Sequence, residues 1–98
     1  MYRQGDVLLI PVAALPKGCR PIPAEGERII LARGEVTGHA HAVIGGAEYF
    51  RSSRRLQRFL VVGGNGALLR HEEHARIDLP AGVYEVWRQR ELEDWVID

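Results

Sequence analysis

Apolar residues along this chain fall in short runs broken by glycine or proline, and helical three-to-four spacing is nearly absent. Asp6-Val7-Leu8-Leu9-Ile10-Pro11-Val12 is one continuous apolar run, short and β-branched, which predicts a strand buried on both faces. Pro11, Pro16, Pro21 and Pro23 then predict an extended, irregular connection over residues 11–26. Arg28-Ile29-Ile30-Leu31-Ala32 reads as a second strand, and Gly34 and Gly38 flank a short piece at Glu35-Val36-Thr37. His39 to Ile44 reads as another, expected to turn at Gly45-Gly46 into Ala47-Glu48-Tyr49-Phe50 as a β-hairpin.

Leu56 to Val62 is the next expected strand, closed by Gly63-Gly64-Asn65-Gly66, the strongest turn signal present, and followed by Ala67 to His71. Ile77-Asp78-Leu79, a turn at Pro80-Ala81-Gly82 and a long alternating run from Val83 to Arg90 come after it. In that run Val83, Glu85, Trp87 and Gln89 share one face, and Tyr84, Val86, Arg88 and Arg90 the other. Trp95-Val96-Ile97 is a candidate edge strand. About eight short strands with closely spaced turns imply an all-β fold, a small antiparallel barrel or sandwich. With no internal repeat or linker, residues 1–98 are expected to form a single domain.

Composition narrows the setting. A chain of 98 residues has room for one core, and 46% hydrophobic with 27% charged residues is ordinary for a soluble globule. The lone Cys19 has no partner for an intramolecular bridge, so a reducing, cytoplasmic location is expected. No apolar stretch approaches the ~20 residues that cross a bilayer, and no signal-peptide region opens the chain. Formal net charge is zero, which argues against general capture of nucleic acid or acidic membrane. Arg51, Arg54, Arg55 and Arg58 make the one basic patch. A solvated hairpin loop explains them better than phosphate binding, because arginine outnumbers lysine throughout this chain.

The candidate chemistry lies in the histidines. All four occur as two tight pairs, Gly38-His39-Ala40-His41 and His71-Glu72-Glu73-His74. Imidazole is the commonest protein ligand for a transition metal. In a strand His39 and His41 point the same way, and the small Ala40 and Ala42 let another strand or an ion come close. His71 and His74 are three apart, which a regular strand would place on opposite faces. Either residues 71–75 turn or bulge, giving a four-histidine site, or the segment stays extended and gives three histidines with Glu72 or Glu73. Both sets suit a divalent first-row transition ion: zinc foremost, with iron, manganese or nickel as alternatives. The His-Glu-Glu-His spacing is one short of the helical metalloprotease signature and lies in a non-helical context. A metal-free network of imidazoles bonded to backbone and carboxylates is the competing account.

These features predict a small module holding one ion through His39, His41 and at least one of His71 and His74. Its expected role is accessory, engaging a protein partner or a second copy. The alternative is an enzyme, a hydrolase or an oxygen-chemistry site, with metal-activated water and Glu72 or Glu73 as general base. Lesser candidates are Cys19, which no motif surrounds, and Trp87 and Trp95, read as packing residues. Arg88, Arg90 and Glu91 can order the histidine site or form an interface, with surface ion pairing as the default.

Five segments together resemble an uncharacterised family of small bacterial and phage proteins. They are Gln-Gly-Asp-Val-Leu-Leu (4–9), Gly-Glu-Val-Thr-Gly-His-Ala-His (34–41), His-Glu-Glu-His (71–74), Leu-Pro-Ala-Gly-Val-Tyr-Glu-Val (79–86) and Gln-Arg-Glu (89–91). That resemblance brings no activity with it, and Leu92 stands where the family tends to carry an aromatic. A looser likeness is to cupins, through Gly34, His39, His41, Glu48 and the Pro80-Ala81-Gly82 turn. The spacings depart from the cupin pattern, and Glu85 stands where a later histidine belongs, so only His39 and His41 carry over.

Overall fold

A computed structural model describes residues 1–34, 36–53 and 56–91. Glu35, Arg54, Arg55, Leu92 and the candidate strand Trp95-Val96-Ile97 lie outside the described residues. The expected antiparallel β architecture is what the chain forms. Among the described residues the strands are β1 (Tyr2–Gln4), β2 (Val7–Val12), β3 (Cys19–Ile22), β4 (Arg28–Arg33), β5 (Ala40–Ser52), β6 (Arg58–His71), β7 (His74–Leu79) and β8 (Gly82–Arg88). They make one sheet in the order β1-β2-β8-β6-β5-β3, with β4 added to β5 and β7 to β6, and the sheet is not closed into a barrel.

The two glycine runs correct the sequence reading. Gly45-Gly46 does not turn the chain, and neither does Gly63-Gly64-Asn65-Gly66; both lie inside strands, of 13 and 14 residues. Each long strand changes partners at its glycines. The first part of β5 pairs with β4 and with the end of β6, whereas its second part pairs with β3 and the start of β6. The register shifts between Gly45 and Ala47, where the ladder carries a bulge. A Cβ on Gly45 would lie 3.2 Å from Ala67 Cα, and one on Gly66 would lie 2.9 Å from the Leu79 carbonyl oxygen. Glycine is needed there for a bend and a close approach, which local sequence does not distinguish from a hairpin turn.

Two further differences have local causes. Residues 19–22 form a strand within the expected proline-rich connection, because β3 pairs with β5 alone and Pro21 sits on an edge where a missing donor is tolerated. Val36 and Thr37 belong to a turn rather than a strand. Gly34 N–H donates to the His39 carbonyl (2.8 Å) and His39 N–H to that of Val36 (3.0 Å), closing the β4–β5 loop. One apolar cluster spans both halves of the bent sheet, including Leu9, Leu31, Val43, Leu60, Leu69 and Val86. The expected alternation of β8 holds, with Tyr84 and Val86 buried. Arg88 follows them on the same face.

Candidate metal centre

Two tight hairpin turns, β1–β2 and β6–β7, meet the β4–β5 loop at one end of the sheet. The β6–β7 hairpin has only Glu72 and Glu73 between its strands, so His71 and His74 are direct cross-strand partners. Of the two arrangements open from sequence, the turn is the one adopted. Neither glutamate takes a positive φ, as the tightest hairpin turns require, and the ladder absorbs the mismatch as a register shift between Leu69 and His71. His41 stands second in β5, buried at 5% exposure.

One ligand atom from each of His41, His71 and His74 lies within 4.8 Å of the other two. Ring centroids are 4.2 Å apart for His41 and His71, 4.8 Å for His71 and His74, and 5.7 Å for His41 and His74. A tetrahedral ion with bonds of ~2 Å holds its donors roughly 3.3 Å apart, so small side-chain rotations bring these imidazoles onto one centre. Residues some thirty apart in sequence therefore do converge.

His39 is not part of that triad. It precedes β5, so the two-residue alternation with His41 does not apply. Its ring lies 5.9 Å from that of His71, edge to face. Among the described residues His39 Nδ1 is buried without a hydrogen-bond partner, and Glu73 Oε2 stands 3.9 Å from it. Gly34 leaves room for both rings, since a Cβ there would stand 3.2 Å from His39 Cβ and 3.5 Å from His71 Nε2.

Hydrogen bonds assign the tautomer of His41. Gln4 is buried, and its Nε2 donates to the carbonyls of Leu69 (3.2 Å) and Ala75 (2.9 Å). The amide is thereby fixed with Oε1 toward His41 Nδ1, 2.9 Å away, and an oxygen there can only accept. His41 Nδ1 carries the proton, and Nε2 presents its lone pair. Burial, aided by the neighbouring His71, pushes this imidazole down to about 4, so it is neutral at physiological pH as a ligand must be. His71 differs: its Nδ1 accepts from the Glu73 amide (3.0 Å), which leaves the proton on Nε2. Coordination through His71 Nε2 thus exchanges that hydrogen bond for the metal bond.

The two glutamates have distinct surroundings. Glu72 Oε1 accepts from the Ala40 amide (2.9 Å), and that bond, with one from its own backbone, holds the carboxyl below its ordinary range. Glu73 is exposed, with its carboxylate Oε2 3.9 Å from His39 Nδ1. Of the arginines expected in a patch, Arg51 is exposed and Arg58 is bonded to Glu91 (2.6 Å).

Sequence reasoning passed over the β1–β2 hairpin, although Gly5-Asp6 just ahead of the apolar run Val7-Leu8-Leu9 is a turn signal. Gly5, at φ 58°, rests on the triad; a Cβ there would come within 2.9 Å of His74 Nε2 and 3.2 Å of His41 Cε1. Asp6 follows with Oδ1 3.9 Å from His41 Nε2. Arg88 donates to Asp6 Oδ2 through Nε (3.1 Å) and Nη2 (2.9 Å), so the β8 arginine does bear on the histidine site.

The molecule is thus an antiparallel β domain carrying a cluster of three imidazoles whose geometry accommodates a metal ion. The chain belongs to the family described as a domain of unknown function, DUF8820, which matches residues 3–89. Neither a curated protein nor a solved structure matched it significantly.

Proposed function

We propose that this protein is a small metal-binding module that holds one divalent transition ion, zinc foremost, through His41, His71 and His74. The observation that carries the reading is the approach of three imidazole donors from two hairpins to within 4.8 Å, with the most buried one neutral and its free lone pair fixed by Gln4. The role is accessory, with the exposed Glu72, Glu73 and His74 edge offered to a protein partner or a second copy. The cavity beside His71 and Glu72 is about 120 Å³, smaller than the ~300 Å³ at which substrate pockets begin, and neither His41 nor His74 lines it. A larger cavity of about 700 Å³, lined by Gly64, Asn65, Arg76 and Asp78 among others, contains no histidine.

One observation favours the enzymatic alternative. Three histidines leave a fourth position for water, the pattern of catalytic zinc. Glu72 suits the base poorly, because its carboxylate is already engaged by the Ala40 amide. Elemental analysis of untagged protein, purified without added metal, tests the reading together with zinc titration of the wild type and His41→Ala. One ion per chain, lost in the variant, is the expected result. A wild-type chain with neither bound ion nor zinc affinity would defeat it.

A further inference from the structure

We infer that Asp6 is the fourth ligand, closing a three-histidine, one-carboxylate shell around the ion; this rests on the metal-binding reading above. With the His41 proton on Nδ1, the ring's Nε2 and Asp6 Oδ1 face each other across 3.9 Å as two lone-pair donors with no hydrogen between them. Such a pair beside a buried ring is unfavourable on its own and becomes favourable around a cation. Tetrahedral donors on bonds of ~2 Å stand roughly 3.3 Å apart, so the 3.9 Å gap must close by about 0.6 Å around the ion.

The turn is built to keep the carboxylate there. Arg88 takes Oδ2 with two hydrogen bonds, leaving Oδ1 as the oxygen toward His41. The Asp6 carbonyl accepts from Gln89 N–H at 2.6 Å, anchoring the turn to the end of β8. Gly5, by lacking a side chain, lets the same turn lie against His74. One hairpin therefore supplies the residue that orients His41, the backbone that covers His74, and a carboxylate oxygen 3.9 Å from His41 Nε2. A closed shell of three nitrogens and one oxygen suits zinc and excludes the vacant position that metal-activated water needs.

The test compares zinc affinity and the visible spectrum of bound cobalt(II) in the wild type, Asp6→Asn and Arg88→Gln, each checked for folding by circular dichroism. Asp6→Asn is nearly isosteric and keeps the turn. It is expected to weaken zinc binding by about 100-fold or more, at or beyond the ~10–100-fold typical of outer-shell partners, and to change the cobalt spectrum. Arg88→Gln retains the carboxylate and loses only its orienting partner, so it should lose roughly tenfold, clearly less than Asp6→Asn, with the spectrum unchanged. Wild-type binding that Asp6→Asn leaves intact, in affinity and spectrum, would overturn this inference and leave the three-histidine site standing. Equal losses in both variants without spectral change would also overturn it, by reducing Asp6 to a partner of Arg88. Absence of metal binding in the wild type would instead remove the site reading itself.

Discussion

Gln4 shows how one side chain links stability to ligand chemistry. It ties β1 to the carbonyls of Leu69 and Ala75 and, with the same amide, sets the tautomer of His41. Gln4→Leu removes both. It should weaken zinc binding by roughly 10–100-fold and cost about 1–3 kcal/mol of stability, read by metal titration and by urea denaturation of the metal-free protein. The state of His41 also predicts a pH dependence. Its folded pKa is about 4 and its unfolded value 6.5, so between these the unfolded chain binds a proton that the folded chain does not. Its contribution to stability is complete above about pH 6.5 and is lost as pH falls toward 4. Urea melts of chelator-treated protein should record a decline of at most about 3 kcal/mol over that window, and His41→Asn should flatten it. A profile identical in the two proteins would contradict the assignment.

Among the elements, the two glycine-bent strands do most to set the shape, and they were the least legible. Gly66 has φ 76° and its missing Cβ faces the Leu79 carbonyl oxygen at 2.9 Å. Gly66→Ala is expected to cost at least about 1–2 kcal/mol in denaturant unfolding and to loosen the start of the β6–β7 pairing. The strands whose apolar runs were continuous or alternating, β2, β4 and β8, stood out in sequence because burial on a sheet leaves that signature. The histidine pairs were legible as chemistry because two clusters of a rare residue need no fold to be noticed. What the sequence concealed was context. A glycine run looks alike whether it reverses a strand or bends one, and β3 was hidden by a proline that only an edge position tolerates. Gln4 and Asp6 were missed for a related reason: a polar residue beside a turn gains meaning only from what the turn rests on.

At the scale of the whole molecule, a ligand held only by the folded chain adds its binding free energy to stability. With zinc at a thousandfold excess over Kd the gain is about 4 kcal/mol, so chelator should lower Tm by roughly 15–30 °C in the wild type and leave His41→Ala unmoved. Scanning calorimetry with and without chelator checks this. The long strands give that coupling its reach. β5 and β6 each run through both halves of the bent sheet, and one core cluster fills the space between. Neither half retains its own strands if the other comes apart. Backbone amides of β5 near His41 and those near Phe50 should therefore exchange with solvent deuterium at rates set by the same global opening. Metal loading should slow both by the same factor, although Phe50 lies opposite Pro21 and Phe59 in the other half of the sheet.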